Sequence, residues 1–367
     1  MALVHDWLTG MRGGEKSLEP ICAAYPNADL FTLLHVPGTV SPVIEQRPIH
    51  TSFVQHLPAV ARYYRHYLPL FPTAIERFSF EPFDLVISFS HCVAKSVITP
   101  PRVPHICYCF TPMRYAWDQF DAYFGPERVG RLASAVLRPV MAHMADWDQR
   151  TSTRATRYLA ISQYVAQRIR RYYDREATIV YPPVDTDFYR PDTSAPGDHF
   201  LIVSALVPYK RIDLAIEGCR RAGASLRIVG DGPERAHLEA IAGPHVTFLG
   251  RLSDEDVRRE YRAARAVLLP GEEDFGIAPV EAQACGRPVV ALGLGGACET
   301  VIDGETGVLA QEATPASFAT ALDRVTRLRL EPARARANAE RFSTARYVAA
   351  FNAAVAETLA APAGTRW

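Results

Sequence analysis

Short apolar runs alternate with longer stretches whose apolar positions recur at helical spacing, and the alternation continues along nearly the whole chain. The apolar runs of the first half are ALVHDWL (2–8), ADLFTLLH (28–35), FDLVISFS (83–90), HICYCF (105–110), RYLAIS (157–162) and ATIVYPPV (177–184). Those of the second half are HFLIVSAL (199–206), SLRIVG (225–230), VTFLG (246–250), RAVLLP (265–270) and RPVVAL (287–292). Between them lie helical patterns such as GEKSLEPICAAYP, SQYVAQRIRRYYD, RIDLAIEGCRRAG and IAPVEAQACG, with Ser162 a good cap for the second. Short strands separated by helices predict an α/β protein with parallel sheets covered on both faces. The proline-rich stretch at 180–200, followed by a fresh strand, separates two doubly wound domains, 1–187 and 188–340. The remainder, 341–367, carries a terminal helix that can pack back on the first domain.

Charge narrows the picture by exclusion. The 40 basic and 40 acidic side chains cancel, which gives no reason to expect a nucleic-acid partner. The stretch ARYYRHYLPLFP (61–72) suits either an anionic membrane surface or a helix with one buried aromatic face and one solvated basic face. No apolar run approaches the roughly 20 residues that span a bilayer, and MALVHDWLTG reads as an opening strand, not a leader. Seven scattered cysteines fit a reduced, cytoplasmic protein. Cys107 and Cys109 point the same way from one strand, but no second pair supports a metal site.

The densest chemical signal is PGEEDFGIAPVEAQACGRPVVAL (270–292). A strand ends in an acidic turn, Gly276 lets the backbone approach a ligand, and a helix starts near Ile277 with Pro279 tolerated in its first turn. Free amides at that end suit a phosphate. Glu273 and Glu281 then offer one carboxylate to a sugar and another to a ribose diol, as a sugar nucleotide requires. Taken singly, each is equally well a surface acid or an ordinary helix residue. Gly13 and Gly14 let amides approach a diphosphate or an acceptor. Lys210 and Arg211 stand at a helix entrance where cations can neutralise a diphosphate without a metal. Arg251 can meet a nucleotide base or make a surface salt bridge.

The 270–292 string resembles the E-x7-E motif of the retaining glycosyltransferases of family 4. These have the GT-B fold, two doubly wound Rossmann-like domains facing each other across a cleft. The resemblance runs from residue 3 to about 345. It is closest to bacterial O-antigen and exopolysaccharide mannosyltransferases in VHDWLTGMRGGEK, ISFSHCVAKSV, YCFTPMRYAWD, YPPVDTDFY, VSALVPYKRID and EEDFGIAPVEAQACG. It implies a nucleotide-sugar donor, GDP-mannose, and a glycan or lipid-linked oligosaccharide acceptor, with peripheral contact at the inner membrane and no metal. Glu273 would bind the donor sugar, with Lys210 and Arg211 on the diphosphate and Glu281 on the ribose. Phe275, Gly276, Ile277 and Ala278 would form the phosphate end of the helix, and Gly13 and Gly14 would close over it.

Two positions depart from the family. Phe110 stands where many relatives carry a strand-end histidine, and Ala205 where many carry arginine. His91, which follows the neighbouring strand, is the candidate replacement, with His5 and Asp6 a weaker pair; each fits a structural turn as well. Arg114, Tyr115, Trp117 and Asp118 read either as an acceptor platform or as a packed loop with an Arg–Asp pair. A UDP-sugar transferase or epimerase, and a sugar-binding protein without catalysis, remain as other readings. A dinucleotide oxidoreductase is disfavoured because the first strand-turn-helix lacks G-x-G-x-x-G.

Overall fold

Among the described residues seven parallel strands form one sheet and six a second. The computed structural model describes every residue except Ser194, Ala363 and Arg366, which lie in the 180–200 connection and the terminal stretch. The chain divides into one unit of Met1–Tyr181 with Tyr347–Trp367, and another of Pro182–Arg346. The division falls six residues before the sequence boundary after 187, at the first proline of the connection.

In the first unit the strands are β1 (Ala2–His5), β2 (Asp29–Thr32), β3 (Ile49–Thr51), β4 (Val86–Ser90), β5 (His105–Cys109), β6 (Arg157–Ala160) and β7 (Thr178–Ile179). Their order is β3-β2-β1-β4-β5-β6-β7. Leu3 pairs with Leu30 on one side and Ile87 on the other, so β1 is central. Every residue of β1, β4, β5 and β6 is buried, which explains why their sequences run apolar without alternation. The chain leaves β1 in one direction and returns to its other side at β4. The carboxyl ends of β1 and β4 therefore form the topological switch point.

The second unit repeats the plan with β8 (Phe200–Val203), β9 (Leu226–Val229), β10 (Val246–Gly250), β11 (Ala266–Leu269), β12 (Val289–Leu292) and β13 (Gly307–Ala310). The order β10-β9-β8-β11-β12-β13 puts its switch point between β8 and β11. Ile202, Leu268, Val290 and Phe318 belong to its core. β3 and β13 lacked a sequence signal, for a physical reason. β3 is a three-residue edge strand with no buried residue, and β13 begins at a glycine that closes a turn.

Local signals placed the helices well. Ser162 Oγ accepts from the amide of Val165 at 3.0 Å and caps the helix Gln163–Tyr173, which buries Val165, Ile169 and Tyr173 on one face. The terminal helix Thr344–Ala360 packs in the first unit: Phe351 stacks on Phe89, and Arg157 donates to the carbonyl of Ala354 at 3.0 Å. The 61–72 stretch is not one helix. It breaks into a turn at Val60–Tyr63, a 3-10 segment at Tyr64–Leu70 and a helix at Phe71–Glu76. Tyr64, Leu68 and Phe71 point inward while Arg62, Arg65 and His66 are exposed. Among the described residues no helix is long and apolar enough to cross a membrane.

One charged group in the first core was not read from the sequence. Lys95, 1% exposed, pairs with Asp148 at 3.0 Å and donates to the Asp148 carbonyl at 2.6 Å. The other Asp148 oxygen accepts from Trp117 Nε1 at 2.8 Å and Tyr173 Oη at 2.7 Å. Removing one partner leaves the other charge buried and unpaired. Lys95→Met is expected to lower unfolding free energy by about 3–5 kcal/mol, measured by urea denaturation.

Candidate active site

In the second unit the loop after β8 and the loop after β11 meet at the switch point. The first loop ends in the turn Pro208–Lys210 and enters the helix Ile212–Ala222. The second passes Gly271 and Glu273 and enters the helix Ile277–Ala284 through Gly276, whose φ is +90°. Lys210 Nζ is ion-paired with the Glu273 carboxylate, and both side chains are largely buried. Gly271 makes the approach possible: a β-carbon there would sit 2.5 Å from the Tyr209 carbonyl oxygen. On the other side the Gly296 amide donates to the Glu273 carbonyl at 2.7 Å. A β-carbon on Gly296 would fall 2.4 Å from Phe275 Cα. The site thus holds a carboxylate and an ammonium beside the start of a helix whose first residues, Gly276, Ile277 and Ala278, are all partly exposed, and helix starts leave amides without intrahelical partners.

Other residues of the predicted donor set have different surroundings. Phe275 is 2% exposed and packs edge-on against Phe342 at 5.3 Å, so its ring belongs to the core and only its backbone lines the loop. Glu281 is buried, and its Oε2 accepts from Tyr261 Oη at 2.9 Å. Arg211, in the left-handed region at φ +48°, pairs with Asp213 at 3.0 Å, the second residue of its own helix. Arg251 is 82% exposed and lies 3.7 Å from Asp231, the surface-pair alternative. Ala205 is exposed in the loop after β8.

The first unit builds its switch point from β1 and β4. Asp6, fully buried, gathers the chain after β4. Its Oδ2 accepts from the amides of His91 (2.7 Å) and Cys92 (2.9 Å), and its Oδ1 from those of Val93 (2.7 Å) and Ala94 (2.8 Å). Asp6 therefore caps the turn after β4, not the turn that follows it in sequence. His91 Nδ1 lies 3.1 Å from the same carboxylate, and Trp7 packs edge-on against the His91 ring at 4.4 Å. Phe110 stands beside His5 and His91, with Gly14 against it. Gly13 and Gly14 open the helix Gly13–Ala24, whose Glu15 carboxylate accepts from the Arg12 amide at 3.1 Å.

The proposed acceptor platform is a short helix, Arg114–Trp117, followed by Asp118. Three of its polar groups are engaged inside the unit. Tyr115 Oη meets Cys92 Sγ at 2.8 Å, Trp117 donates to Asp148, and Asp118 pairs with Arg168. Asp118 pairs with Arg168, an arginine from outside the cluster. No signal within TPMRYAWD pointed to Arg168, which lies 50 residues further on.

Two family models now meet this geometry. "Glycosyltransferase Family 4" matches residues 12–188, and "Glycosyl transferases group 1" matches residues 186–342. The chain belongs to the family 4 glycosyltransferases. This glycosyltransferase is similar to an uncharacterized glycosyltransferase of Methanocaldococcus jannaschii, at 29% identity over 171 residues, 45% of this chain and 48% of the relative. It is also similar to the D-inositol 3-phosphate glycosyltransferase of Frankia alni, at 34% identity over 180 residues, 41% of this chain and 44% of the relative. The matches thus span somewhat less than half the length of these curated relatives. Among solved structures it is similar to Anabaena Alr3699/HepE in complex with UDP and glucose, at 19% identity and a TM-score of 0.70 over 98% of this chain and 99% of that one. That likeness shows the fold, which is GT-B.

Two predictions test this geometry. Gly271→Ala forces a β-carbon into the backbone at Tyr209 and Lys210, and is expected to lower unfolding free energy by about 1–3 kcal/mol in a denaturant titration. Burial pushes the Glu15 carboxyl up to about 7. A raised carboxyl pKa makes the folded state hold its proton longer than the unfolded chain does. This group's contribution is therefore present at acid pH and lost as pH rises from about 4.5 to 7. Burial also holds His5 down at about 4, which acts in the opposite direction with pH, so the comparison must be differential. Relative to wild type, Glu15→Gln is expected to gain stability between pH 4 and 8, by on the order of 3 kcal/mol, measured as paired urea titrations across that range.

Proposed function

We propose that this glycosyltransferase moves a hexose, mannose from GDP-mannose, onto a glycan or lipid-linked acceptor, with retention at the anomeric carbon. The observation that carries the reading is the Lys210–Glu273 pair at the β8–β11 switch point, beside the free amides of the helix from Ile277. In the proposed complex Lys210 turns to the donor diphosphate and supplies the positive charge there, without a metal. The Gly276, Ile277 and Ala278 amides take the phosphate oxygens, while Glu273, released from Lys210, accepts from hydroxyls of the donor sugar. Glu281, held by Tyr261, takes the ribose. Departing charge is then stabilised by Lys210 and the helix amides, and such stabilisation is where a site of this kind obtains most of its acceleration. The acceptor is taken by the first unit around His91. The reaction runs at the cytoplasmic face of the membrane that carries the acceptor.

A second donor reading has one observation in its favour: the solved neighbour Alr3699/HepE holds UDP and glucose. Calorimetric titration with GDP, UDP, ADP and dTDP, followed by turnover of the matching sugar nucleotides, separates the two. Preference for GDP with release of GDP from GDP-mannose supports the reading. Preference for UDP keeps the chemistry and replaces the donor, and binding of no nucleotide sinks the transferase assignment. With the preferred donor, Lys210→Ala and Glu273→Ala are each expected to lower the transfer rate at least about 100-fold, the scale for removing a charge-stabilising group. Turnover that survives both changes would remove the pair from the mechanism.

A further inference from the structure

Tyr261, in the second unit, has no exposed surface. A side chain wanted there only for its bulk would be phenylalanine, because a buried hydroxyl costs stability unless it is bonded. This hydroxyl is bonded to a carboxylate: Tyr261 Oη donates to Glu281 Oε2 at 2.9 Å. The two residues stand 20 apart in the chain, on the helices Asp254–Ala263 and Ile277–Ala284. Burial first, and then Glu281, push the Tyr261 phenol well above its usual value, so the hydroxyl keeps its hydrogen and stays a donor.

One further residue steadies both partners. The Tyr261 ring meets Tyr189 edge-on at 5.8 Å, and Tyr189 is itself buried. Arg336 donates to the carbonyls of Thr186 at 2.6 Å and Tyr189 at 2.7 Å. It also donates, at 3.3 Å, to the carbonyl of Ala284, the last residue of the helix that carries Glu281. The segment against the tyrosine and the helix bearing the carboxylate are thus tied by one guanidinium.

Glu281 has a physical need for such a hold. It keeps only 6% of its surface exposed, so its orientation decides whether a ligand hydroxyl can reach it. Arg258, Arg262 and Arg287 act on the thiol of Cys285, which caps this helix, and so does Glu281. A carboxylate freed from Tyr261 would be drawn toward those cations. A glutamate already fixed has also lost the rotamer freedom that binding would otherwise cost.

We propose that Tyr261 is the positioning residue of the ribose contact: its hydroxyl fixes the Glu281 carboxylate in the orientation that accepts from the ribose diol of the donor nucleotide. The proposal rests on the reading that puts Glu281 at the ribose. It goes further by assigning the preference for a ribonucleotide to a side chain with no surface of its own for the ligand to touch. A carboxylate offers about four acceptor sites and Tyr261 takes one, so the same group can serve the phenol and a diol.

The test is calorimetric titration of the full chain with GDP and UDP and with the 2′,3′-dideoxy form of each. The readout is the ratio of dissociation constants, dideoxy over ribo, for the base that binds. Measured within one variant, this ratio cancels any general loosening of the site. Wild type is expected to favour the ribonucleotide at least about tenfold, the scale of a hydrogen bond to a charged group. Tyr261→Phe keeps the ring, so its urea melt is expected to show a folded chain, while its ratio falls to about twofold or less. Glu281→Ala removes the contact, and adding Tyr261→Phe to it is expected to change the ratio no further. If Tyr261→Phe does not fold, Glu281→Asp takes its place: it keeps the charge, withdraws the carboxylate from the hydroxyl by one methylene, and is expected to lower the ratio likewise. A wild-type ratio in Tyr261→Phe, or in Glu281→Asp where that variant stands in, overturns the positioning role. If Glu281→Ala loses the ratio in that case, Glu281 remains on the ribose and only the role of Tyr261 falls. A ratio near one in wild type overturns both assignments, and binding of neither nucleotide overturns the donor reading with them.

Discussion

A parallel sheet whose chain runs outward from its first strand and then returns to that strand's other side leaves an opening at the strand's carboxyl end. The two loops there diverge, and their backbone groups need partners. Both units meet this constraint, and each closes the opening with a carboxylate. In the first unit Asp6 collects four consecutive amides from the loop after β4. In the second unit Glu273 takes the Lys210 side chain from the loop after β8. The strand ends that must be satisfied for the fold are the same ends that present chemistry to a ligand.

The two closures differ in permanence. The Asp6 carboxylate accepts backbone hydrogen bonds, and releasing it would leave four buried amides without partners, so it acts as a fixed brace. The Lys210–Glu273 pair joins two largely buried side chains that hold each other and no backbone group of the opposite loop, so a charged substrate can take the place of either partner. A brace suits the positioning of imidazoles, and an exchangeable ion pair suits a charged substrate that must enter and leave. The buried Lys95–Asp148 pair belongs to the first kind: it ties the turn after β4 to the helix Arg131–Arg150 and to Trp117.

Much of this was legible along the chain. Strand runs without alternation mark sheets covered on both faces, and eleven of the thirteen strands among the described residues carry that signal. Ser162 and Gly276 mark helix starts, because capping and a positive φ are local demands that few residue types meet. The string from Glu273 to Glu281 stood out because an acidic loop, a glycine and a helix start follow one another within a few residues. The short edge strand β3, with nothing buried, left no trace.

Direction and partnership were decided only in three dimensions. Arg211 adjoins Lys210 in sequence, yet a left-handed backbone turns it to Asp213. Trp117 and Asp118 look like neighbours in one surface cluster, yet they are engaged by Asp148 and Arg168 from distant helices. His91 meets the Asp6 carboxylate 85 residues away in the chain, because the sheet sets β1 beside β4. The sequence by itself determined the α/β class, the two-domain plan and the loops in which chemistry gathers, since periodicity, capping and turn geometry act over a few residues. The tertiary structure decided which polar groups hold the fold together and which face a ligand, because hydrogen bonds and ion pairs are settled by distance in space.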